Sequence, residues 1–263
     1  MSLFALVKML HNGKQSPVKL VIIKERTLES FAGKFGKGRK YDFETDSLAM
    51  IRFLTNKDTL SHYETDTNSV MAFVMPYTYE LNWNSSPSKI FRQFWIAHEK
   101  FWTATRKAKA DSLLLTPAQV ATLASIVDEE TNIRADKYKI ASTYLNRLRI
   151  GMRLQADPTI KFALRDFKLT RVTGEHLKVN SPFNTYIYAG LPPGPICSPS
   201  IDALEAVLNA PPTDYIYFVA SDKFDGTSVF TSELSDHQKY ARLYQDALTR
   251  RTDSVKKAKG INN

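Results

Sequence analysis

The stretch TPAQVATLASIVDEET, residues 116–131, constrains the fold of this chain most, because it fixes where a helix starts and which face it buries. Thr116 is suited to cap the helix, Pro117 to occupy its first position, and Gln119 to complete a capping box. At about 100° per residue, an apolar stripe forms along one side, and it consists of Val120, Leu123, Ile126 and Val127. The sequence therefore predicts a helix that packs this stripe into a core.

Three consecutive acids, Asp128, Glu129 and Glu130, close this stretch. Helical phase places Glu130 in the middle of the apolar stripe, whereas Glu129 falls at its margin and Asp128 on the opposite face. We therefore expect Asp128 and Glu129 to face solvent. A carboxyl group among apolar side chains is costly to ionise and holds its proton more tightly than in water, which suits a general acid. The alternative is a frayed helix end with Glu130 simply exposed.

Composition narrows the class of protein. The chain has 263 residues, of which 43% are apolar and 24% charged, as in a globular protein of one large or two modest domains. It contains no run of about 18 apolar residues, and Lys8 interrupts the first apolar segment too early for a signal peptide. A membrane anchor upstream of residue 1 stays open. The net charge of +9 favours polyanionic partners, but the basic runs 106–109 and 250–259 contain no aromatic residue, which disfavours nucleic-acid binding.

The sequence gives no support for a metal or another cofactor. A single cysteine, Cys197, excludes an internal disulfide, and the five histidines are scattered without an HxxxH or CxxC pair. No GxGxxG or Walker-type loop is present, so nucleotide cofactors have no support. We therefore predict a protein without a cofactor.

The order of elements predicts an α+β fold in two parts. A strand over 17–23 and two short helices form a small β-α-α module, and a strand pair is expected in 69–82. A long amphipathic helix over 88–110 leads to a polar break, which places a domain boundary near residue 110. We therefore predict an N-terminal module over 1–110 and a second domain over 111–263.

The second domain should contain a helix over 135–150, a hairpin over 215–233 and a terminal helix. Between them, 151–200 loses its periodicity. Loops of this length inside a compact domain are usually functional or disordered, and this one is rich in Tyr, Asn, Gln and Pro. We therefore expect an ordered binding surface there.

Several segments of the second domain follow a recognisable pattern, namely ASIVDEET, NRLRIGMRLQADPT, FNTYIYAGLPPGPICSPS and YIYFVAS with VFTSELSDH. In order and spacing, over roughly 116–240, they resemble the YceG-like family of endolytic murein transglycosylases. The chain departs from the family pattern at Phe183, Cys197 and Ser200, where other residues are commoner. The β-α-α module, followed by VMPYTYEL (74–81), is similar to the LysM-like portion of that family.

The resemblance implies a lytic transglycosylase that cuts the β-1,4 bond between N-acetylmuramic acid and N-acetylglucosamine within peptidoglycan strands. It implies that Glu130 is the single catalytic glutamate, because the C6 hydroxyl of the sugar replaces water and closes a 1,6-anhydro ring. It also implies a LysM-like module, a catalytic domain with an open groove and a single upstream membrane helix. The protein would then lie on the cell-wall side of the bacterial inner membrane, with peptidoglycan strands and cell-wall synthases as partners.

Further polar residues are candidates for binding sugar or orienting Glu130, and each also has a structural interpretation. They are Asn146, Gln155, Asp157, Thr159, Asn184 and Tyr186. Asp157 with Pro158 can instead set a turn, and Asn184 can cap a strand. His237 can either position the binding residues through a contact with them or have only a structural role at the start of its own helix.

Two other functions remain open. One is a two-carboxylate hydrolase, with Asp157 or Asp128 as the second acid and a reducing sugar as product. The other is a non-catalytic wall-binding or assembly protein in which Glu130 is structural. A nucleic-acid binder would require steeply salt-sensitive binding to duplex DNA.

Overall fold

A computed structural model describes residues 2–11 and 15–258. Within these residues the fold is mixed α+β, mostly helical with two small two-stranded sheets, so the predicted α+β class is confirmed. The strands are β1 (Val18–Val21), β2 (Thr78–Leu81), β3 (Tyr217–Ala220) and β4 (Ser228–Thr231). The helices are α1 (Leu3–His11), α2 (Leu28–Ala32), α3 (Ser47–Thr55), α4 (Lys57–Ser61), α5 (Pro87–Phe101), α6 (Ala104–Ser112), α7 (Pro117–Glu130), α8 (Arg134–Arg149), α9 (Asp157–Ala163), α10 (Ile201–Leu208) and α11 (Leu234–Ala258).

The N-terminal half follows the predicted order of strand, helix, helix. β1 pairs antiparallel with β2, with Val18 opposite Leu81. The predicted strand pair in 69–82 is wrong in its first part, because Val70–Phe73 forms a buried 3₁₀ turn that packs against α5. All four residues of that turn are buried, whereas the strand β2 alternates exposed and buried residues. Because this segment is covered on every side, all of its residues are apolar, and the sequence lacks the alternation of apolar and polar residues that marks a strand with one exposed face.

The predicted long helix over 88–110 is interrupted, and this prediction is wrong at its centre. α5 ends at Phe101, Trp102 leaves helical geometry, and the Thr103 hydroxyl then caps α6 by accepting a hydrogen bond from the backbone N–H of Arg106 at 3.3 Å. Trp102 is itself buried, so the break brings its ring into the core. The aromatic side chains along α5 pack into the core, and His98 is buried with them.

Buried apolar side chains form two clusters. One extends from Leu20 to Phe94, and the other from Ala72 to Leu208 and includes Ala110. The domain boundary near residue 110 stays a prediction. α7 lies at the centre of the second cluster and packs against α6, α8, α9 and α10. Its predicted apolar stripe is fully buried and its capping box is present, so the helix over 116–131 is confirmed.

The C-terminal part carries a hairpin and the last helix. β3 and β4 pair antiparallel, with Tyr217 opposite Thr231, and α11 packs on them. Tyr240 and Leu243 of α11 are 36% and 42% exposed, so the apolar side of this helix is only partly covered. The last residue of the basic run 250–259 lies outside the described residues.

No single helix among the described residues is long and apolar enough to cross a membrane. The pair α6 and α7 meets the requirement of length and composition only when both helices are taken together, and they are bent by 76° at their junction.

Candidate active site

Glu130 is the last residue of α7 and lies in the wall of a cleft of about 320 Å³. Two consecutive helices, the loop after α8, the hairpin and the first turn of α11 all contribute to this cleft. Its lining consists of Glu130, Arg147, Gln155, Asp157, Tyr186, Phe218 and His237. The structure thus brings Glu130 together with four of the other residues predicted for the site, namely Gln155, Asp157, Tyr186 and His237.

Burial raises the pKa of Glu130 to about 7. A hydrogen bond from the Tyr144 hydroxyl to Oε1, at 2.7 Å, acts in the opposite direction because it stabilises the charged form. The negative charge of Asp157 raises the pKa further, while the positive charges of Arg147 and Lys161 lower it. A carboxyl group with a pKa near neutrality can both donate and accept a proton, which is the requirement for general acid–base catalysis.

Two residues of α8, Tyr144 and Arg147, support Glu130, and neither is among the residues predicted for the site. The Arg147 Nε donates to the Ile216 carbonyl at 2.7 Å and its Nη1 to the Leu154 carbonyl at 2.5 Å. These bonds tie α8 to the hairpin and to the loop that precedes α9. The sequence does contain an indication of this role. Arg147 follows Tyr144 by three residues and so lies on the same buried helix face, where an arginine is rare unless it has specific partners.

Three of the remaining cleft residues, Gln155, Asp157 and Tyr186, are polar and accessible to solvent. Gln155 is exposed and has a left-handed backbone with φ of 51°, a conformation that is costly for residues other than glycine and clusters at functional sites. The hydroxyl of Tyr186 donates to Oδ1 of Asp157 at 2.5 Å, and burial together with this bond raises the pKa of that hydroxyl. These groups present hydrogen-bonding atoms next to Glu130.

Asn184 is predicted to bind sugar, but the structure places it outside the cleft lining. Its side chain is fully buried. The amide nitrogen donates to the carbonyls of Leu177 and Val179 at 2.9 and 2.8 Å, and the amide oxygen accepts from the backbone N–H of Tyr186 at 2.9 Å. Asn184 therefore shapes the loop that carries Tyr186.

Thr159 and Asn146 are likewise satisfied by backbone groups and lie outside the cleft lining. The Thr159 hydroxyl is buried and donates to the Ala156 carbonyl at 2.6 Å. The Asn146 amide nitrogen donates to the carbonyls of Thr213 and Tyr215 at 2.8 and 2.9 Å. Asn146 therefore faces neither solvent nor the cleft, and it fixes the segment that leads into β3.

His237 closes one side of the cleft from the first turn of α11. Its ring stacks on Tyr217, with centroids 5.2 Å apart and planes at 21°. Burial and the nearby charge of Arg147 lower its pKa, so the ring is neutral at neutral pH. Its Nδ1 is buried and has no hydrogen-bond partner among the described residues. His237 therefore lines the cleft as a flat, neutral wall.

The prediction that Asp128 faces solvent is wrong, because α7 is covered on nearly every side. Its carboxylate is buried, with Oδ1 accepting from Lys137 Nζ and, at 2.6 Å, from Ser200 Oγ, while Lys24 Nζ lies 3.1 Å from Oδ2. Burial alone would raise the pKa of Asp128, but these hydrogen bonds and charges outweigh it and hold the pKa below its ordinary value. Asp128 is therefore a buried, ionised structural group.

Glu129 does not face open solvent either, and its side chain is only 16% exposed. Its Oε1 accepts from Lys24 Nζ at 2.9 Å, and its Oε2 accepts from Arg26 Nη2 at 2.9 Å. Both cations come from the segment that follows β1. Among the ion pairs of the described residues, Asp128 and Glu129 are both neutralised, whereas Glu130 has no partner. Glu130 is thus the one acid of the three that is left free to exchange a proton.

In the part of the chain that the structure describes, neither a cluster of metal-ligating residues nor a reactive thiol lies at the cleft. Among the described residues, no group of three or more His, Cys, Asp or Glu side chains could hold a metal ion. Cys197 is buried, and burial raises the pKa of its thiol, which keeps it in the unreactive protonated form.

Comparison with known proteins gives a consistent set of relatives. The model of the YceG-like family matches residues 1–243. An endolytic murein transglycosylase of Bacillus subtilis (strain 168) is 36% identical over 172 residues, which are 65% of this chain and 47% of the relative. An endolytic murein transglycosylase of Streptococcus pneumoniae (strain ATCC BAA-255 / R6) is 28% identical over 197 residues, which are 72% of this chain and 34% of the relative.

A solved structure shares the fold. The crystal structure of a YceG-like protein from Listeria monocytogenes is similar with a TM-score of 0.71 and 29% sequence identity, covering 91% of this chain and 81% of that one. The chain spans about half the length, or less, of the curated relatives it matches.

Proposed function

The chain belongs to the YceG-like family, and from that premise we propose that it is an endolytic lytic transglycosylase that cleaves peptidoglycan strands. The bond cut is the β-1,4 bond between N-acetylmuramic acid and N-acetylglucosamine, and the product carries a 1,6-anhydro end. The observation that carries this proposal is Glu130, a carboxyl group in the wall of the cleft whose pKa is raised to about 7 and which forms no ion pair with any residue that the structure describes.

In the first step Glu130 acts as a general acid. Its protonated carboxyl group donates to the glycosidic oxygen as the bond to C1 of the muramic acid residue breaks, and N-acetylglucosamine leaves with that proton. The carboxylate that remains is stabilised by the Tyr144 hydrogen bond and by the charge of Arg147. Positive charge develops at C1 at the same time, and the negative charges of the Glu130 and Asp157 carboxylates in the cleft stabilise it.

In the second step Glu130 acts as a general base. It removes the proton from the C6 hydroxyl of the same muramic acid residue while O6 bonds to C1. The ring closes, no water is consumed, and Glu130 is protonated again. One carboxyl group therefore serves both steps, provided that its pKa lies near the working pH, as the raised pKa of Glu130 allows.

A second candidate, a two-carboxylate hydrolase, is favoured by the position of Asp157 in the same cleft as Glu130. In that mechanism Asp157 would activate a water or attack C1, and the product would be a reducing sugar. Asp128 is unsuited to this role, because both of its oxygens are engaged by Lys137, Ser200 and Lys24 away from the cleft.

The N-terminal half is proposed to bind glycan as a LysM-like module, and the working position is proposed to be the cell-wall side of the inner membrane. The support is the order β1, α2, α3 and β2 together with the family relationship. Cell-wall synthases are proposed as partners on the same basis, since the relatives are named for their action on murein.

The rate of glycan cleavage should depend on the protonation of Glu130. Because the free enzyme must carry the proton, kcat/KM is expected to be constant in acid and to fall about tenfold per pH unit above about pH 7. Release of soluble fragments from purified peptidoglycan at a series of pH values measures this profile. A profile that stays flat through pH 7 to pH 9, or so, would contradict the role of Glu130 as the acid.

Tyr144→Phe should move this profile to higher pH. The variant loses the hydrogen bond that stabilises ionised Glu130 and keeps the ring, so the pKa of Glu130 rises. A shift of the falling limb by roughly one to two pH units is expected, because a hydrogen bond to a charged group is worth about 1.5–3 kcal/mol. Tyr138→Phe, on the same helix but away from the cleft, is the matched control and should leave the limb in place. An unchanged limb in Tyr144→Phe would mean that the bond does not tune Glu130.

A further inference from the structure

A second, smaller cavity of about 60 Å³ adjoins the cleft. Two pairs of consecutive residues connect them: Glu130 and Asp157 line the cleft, while Glu129 and Pro158 line the second cavity. The rest of its lining consists of Arg26, Lys161, Phe162, Phe167 and Ile196. The second cavity is therefore lined by the residues next in sequence to the two carboxyl groups of the cleft, and by Arg26 from the segment that follows β1.

The charge of this cavity is positive. Glu129 is its one acidic lining residue, and it is already neutralised by Arg26 and Lys24. Lys161 has no ion-pair partner among the described residues, although it is only partly exposed on α9. Its charge reaches as far as Glu130, whose pKa it lowers. Since the Lys161 ammonium forms no ion pair within residues 2–11 and 15–258, it is available to an anionic group of a ligand.

The uncharged part of the lining is apolar. Phe162 and Phe167 form a ring pair with centroids 6.4 Å apart, and the Arg26 guanidinium lies 5.4 Å from the centre of the Phe167 ring. Pro158 and Ile196 complete this surface. The cavity therefore combines the Lys161 ammonium with a small apolar surface, which fits a carboxylate attached to short aliphatic side chains better than it fits a neutral sugar.

We propose that this cavity binds the acidic peptide branch of the muramic acid residue held in the cleft, with Lys161 contacting a carboxylate of that branch. The inference rests on the proposed function, and it adds that the substrate is glycan that still carries its peptides. The sugar backbone of peptidoglycan is neutral, so its negative charge lies in the peptide branches. The muramic acid residue must lie against Glu130 for its bond to be cut, so its branch starts beside the second cavity.

The test compares two substrates for the 263-residue chain: glycan strands with intact peptides, and the same strands after an amidase has removed them. The wild type should prefer the peptide-bearing strands by about tenfold in kcat/KM, as expected for one hydrogen bond to a charged group. Lys161→Met should reduce this ratio to nearly one, and Lys161→Glu should reverse it. The ratio removes any effect of Lys161 on Glu130, because both substrates meet the same Glu130.

Lys89→Met is the matched control, since Lys89 lies on α5 and lines neither cavity. It should keep the wild-type ratio. If the wild type cleaves both substrates equally, or if Lys161→Met keeps the wild-type ratio, the inference is wrong while the proposed function stands. If the wild type cleaves neither substrate, the proposed function fails and the inference fails with it.

Discussion

Glu130→Gln is expected to reduce the digestion of purified peptidoglycan by roughly a thousandfold, because a positioned general acid and base contributes about 10²–10⁴ to a rate. The amide keeps the size of the side chain and can still bond to the Tyr144 hydroxyl. It cannot donate a proton to the glycosidic oxygen or take one from the C6 hydroxyl. Both steps therefore lose their catalyst in one substitution, and turbidity loss or fragment release from peptidoglycan measures the effect.

The same substitution should not destabilise the protein. Because the pKa of Glu130 is raised to about 7 in the folded state, above the ordinary value of about 4.3, ionisation disfavours the fold progressively from about pH 4.3 to pH 7. Above pH 7 that cost is fully present in the wild type and absent from the amide. Glu130→Gln is therefore expected to unfold at an equal or higher temperature at pH 8, which separates lost catalysis from lost folding.

A matched control and a contrary result complete this experiment. Glu175→Gln makes the same chemical change on an exposed residue outside the cleft and should leave digestion unchanged. If Glu130→Gln digests peptidoglycan as the wild type does, Glu130 is structural, and the non-catalytic wall-binding or assembly function becomes the better hypothesis.

Asp128→Asn is expected to lower the free energy of unfolding by about 3–5 kcal/mol, the usual cost of removing one partner of a buried ion pair. The substitution leaves the Lys137 ammonium, which is almost fully buried, without its carboxylate. Lys24 loses one of its two acidic partners at the same time. Urea unfolding followed by circular dichroism measures the change, and equal slopes in urea indicate that the two proteins unfold in the same manner.

The pH dependence of this loss follows from the lowered pKa of Asp128. A carboxylate whose pKa falls on folding stabilises the fold above its unfolded pKa of about 3.9, and that contribution is lost as pH falls further. The difference between wild type and Asp128→Asn should therefore be full at pH 7 and shrink in acid. Asp111→Asn, at an exposed residue of α6, is the control and should change stability by no more than about 0.5 kcal/mol. A loss as small as that of the control would show that Asp128 is not a structural ion-pair member.

Local sequence patterns predicted α7 well because its caps and apolar stripe depend on neighbours within one or two turns. The same pattern failed for Asp128, since the residues that cover it, Lys24 and Ser200, come from distant parts of the chain. Helical phase identifies the apolar face of a helix, but it cannot show that other elements also cover the opposite face. Sequence spacing likewise missed the break at Trp102, where the interruption buries the ring.

The polar motif residues show a second limit. Gln155, Asp157 and Tyr186 do lie in the cleft with Glu130, as a binding role requires. Asn146 and Asn184 belong to the same motifs, but their amide nitrogens donate hydrogen bonds to backbone carbonyls of loop segments. A sequence shows that a polar group is present at such a position. It does not show whether that group faces a ligand or the backbone, because the two demands select the same residue types.

The mass of the digestion products tests the one-carboxylate mechanism of Glu130 most directly. Purified peptidoglycan digested by the wild-type chain, then analysed by mass spectrometry without chemical reduction, should yield fragments that end in 1,6-anhydro-N-acetylmuramic acid. Such ends lack the one water that hydrolysis adds, and their formation requires the C6 hydroxyl as the nucleophile. Fragments that instead carry the mass of that water, with reducing ends, would contradict the mechanism. They would indicate a second catalytic carboxylate in the cleft, namely Asp157.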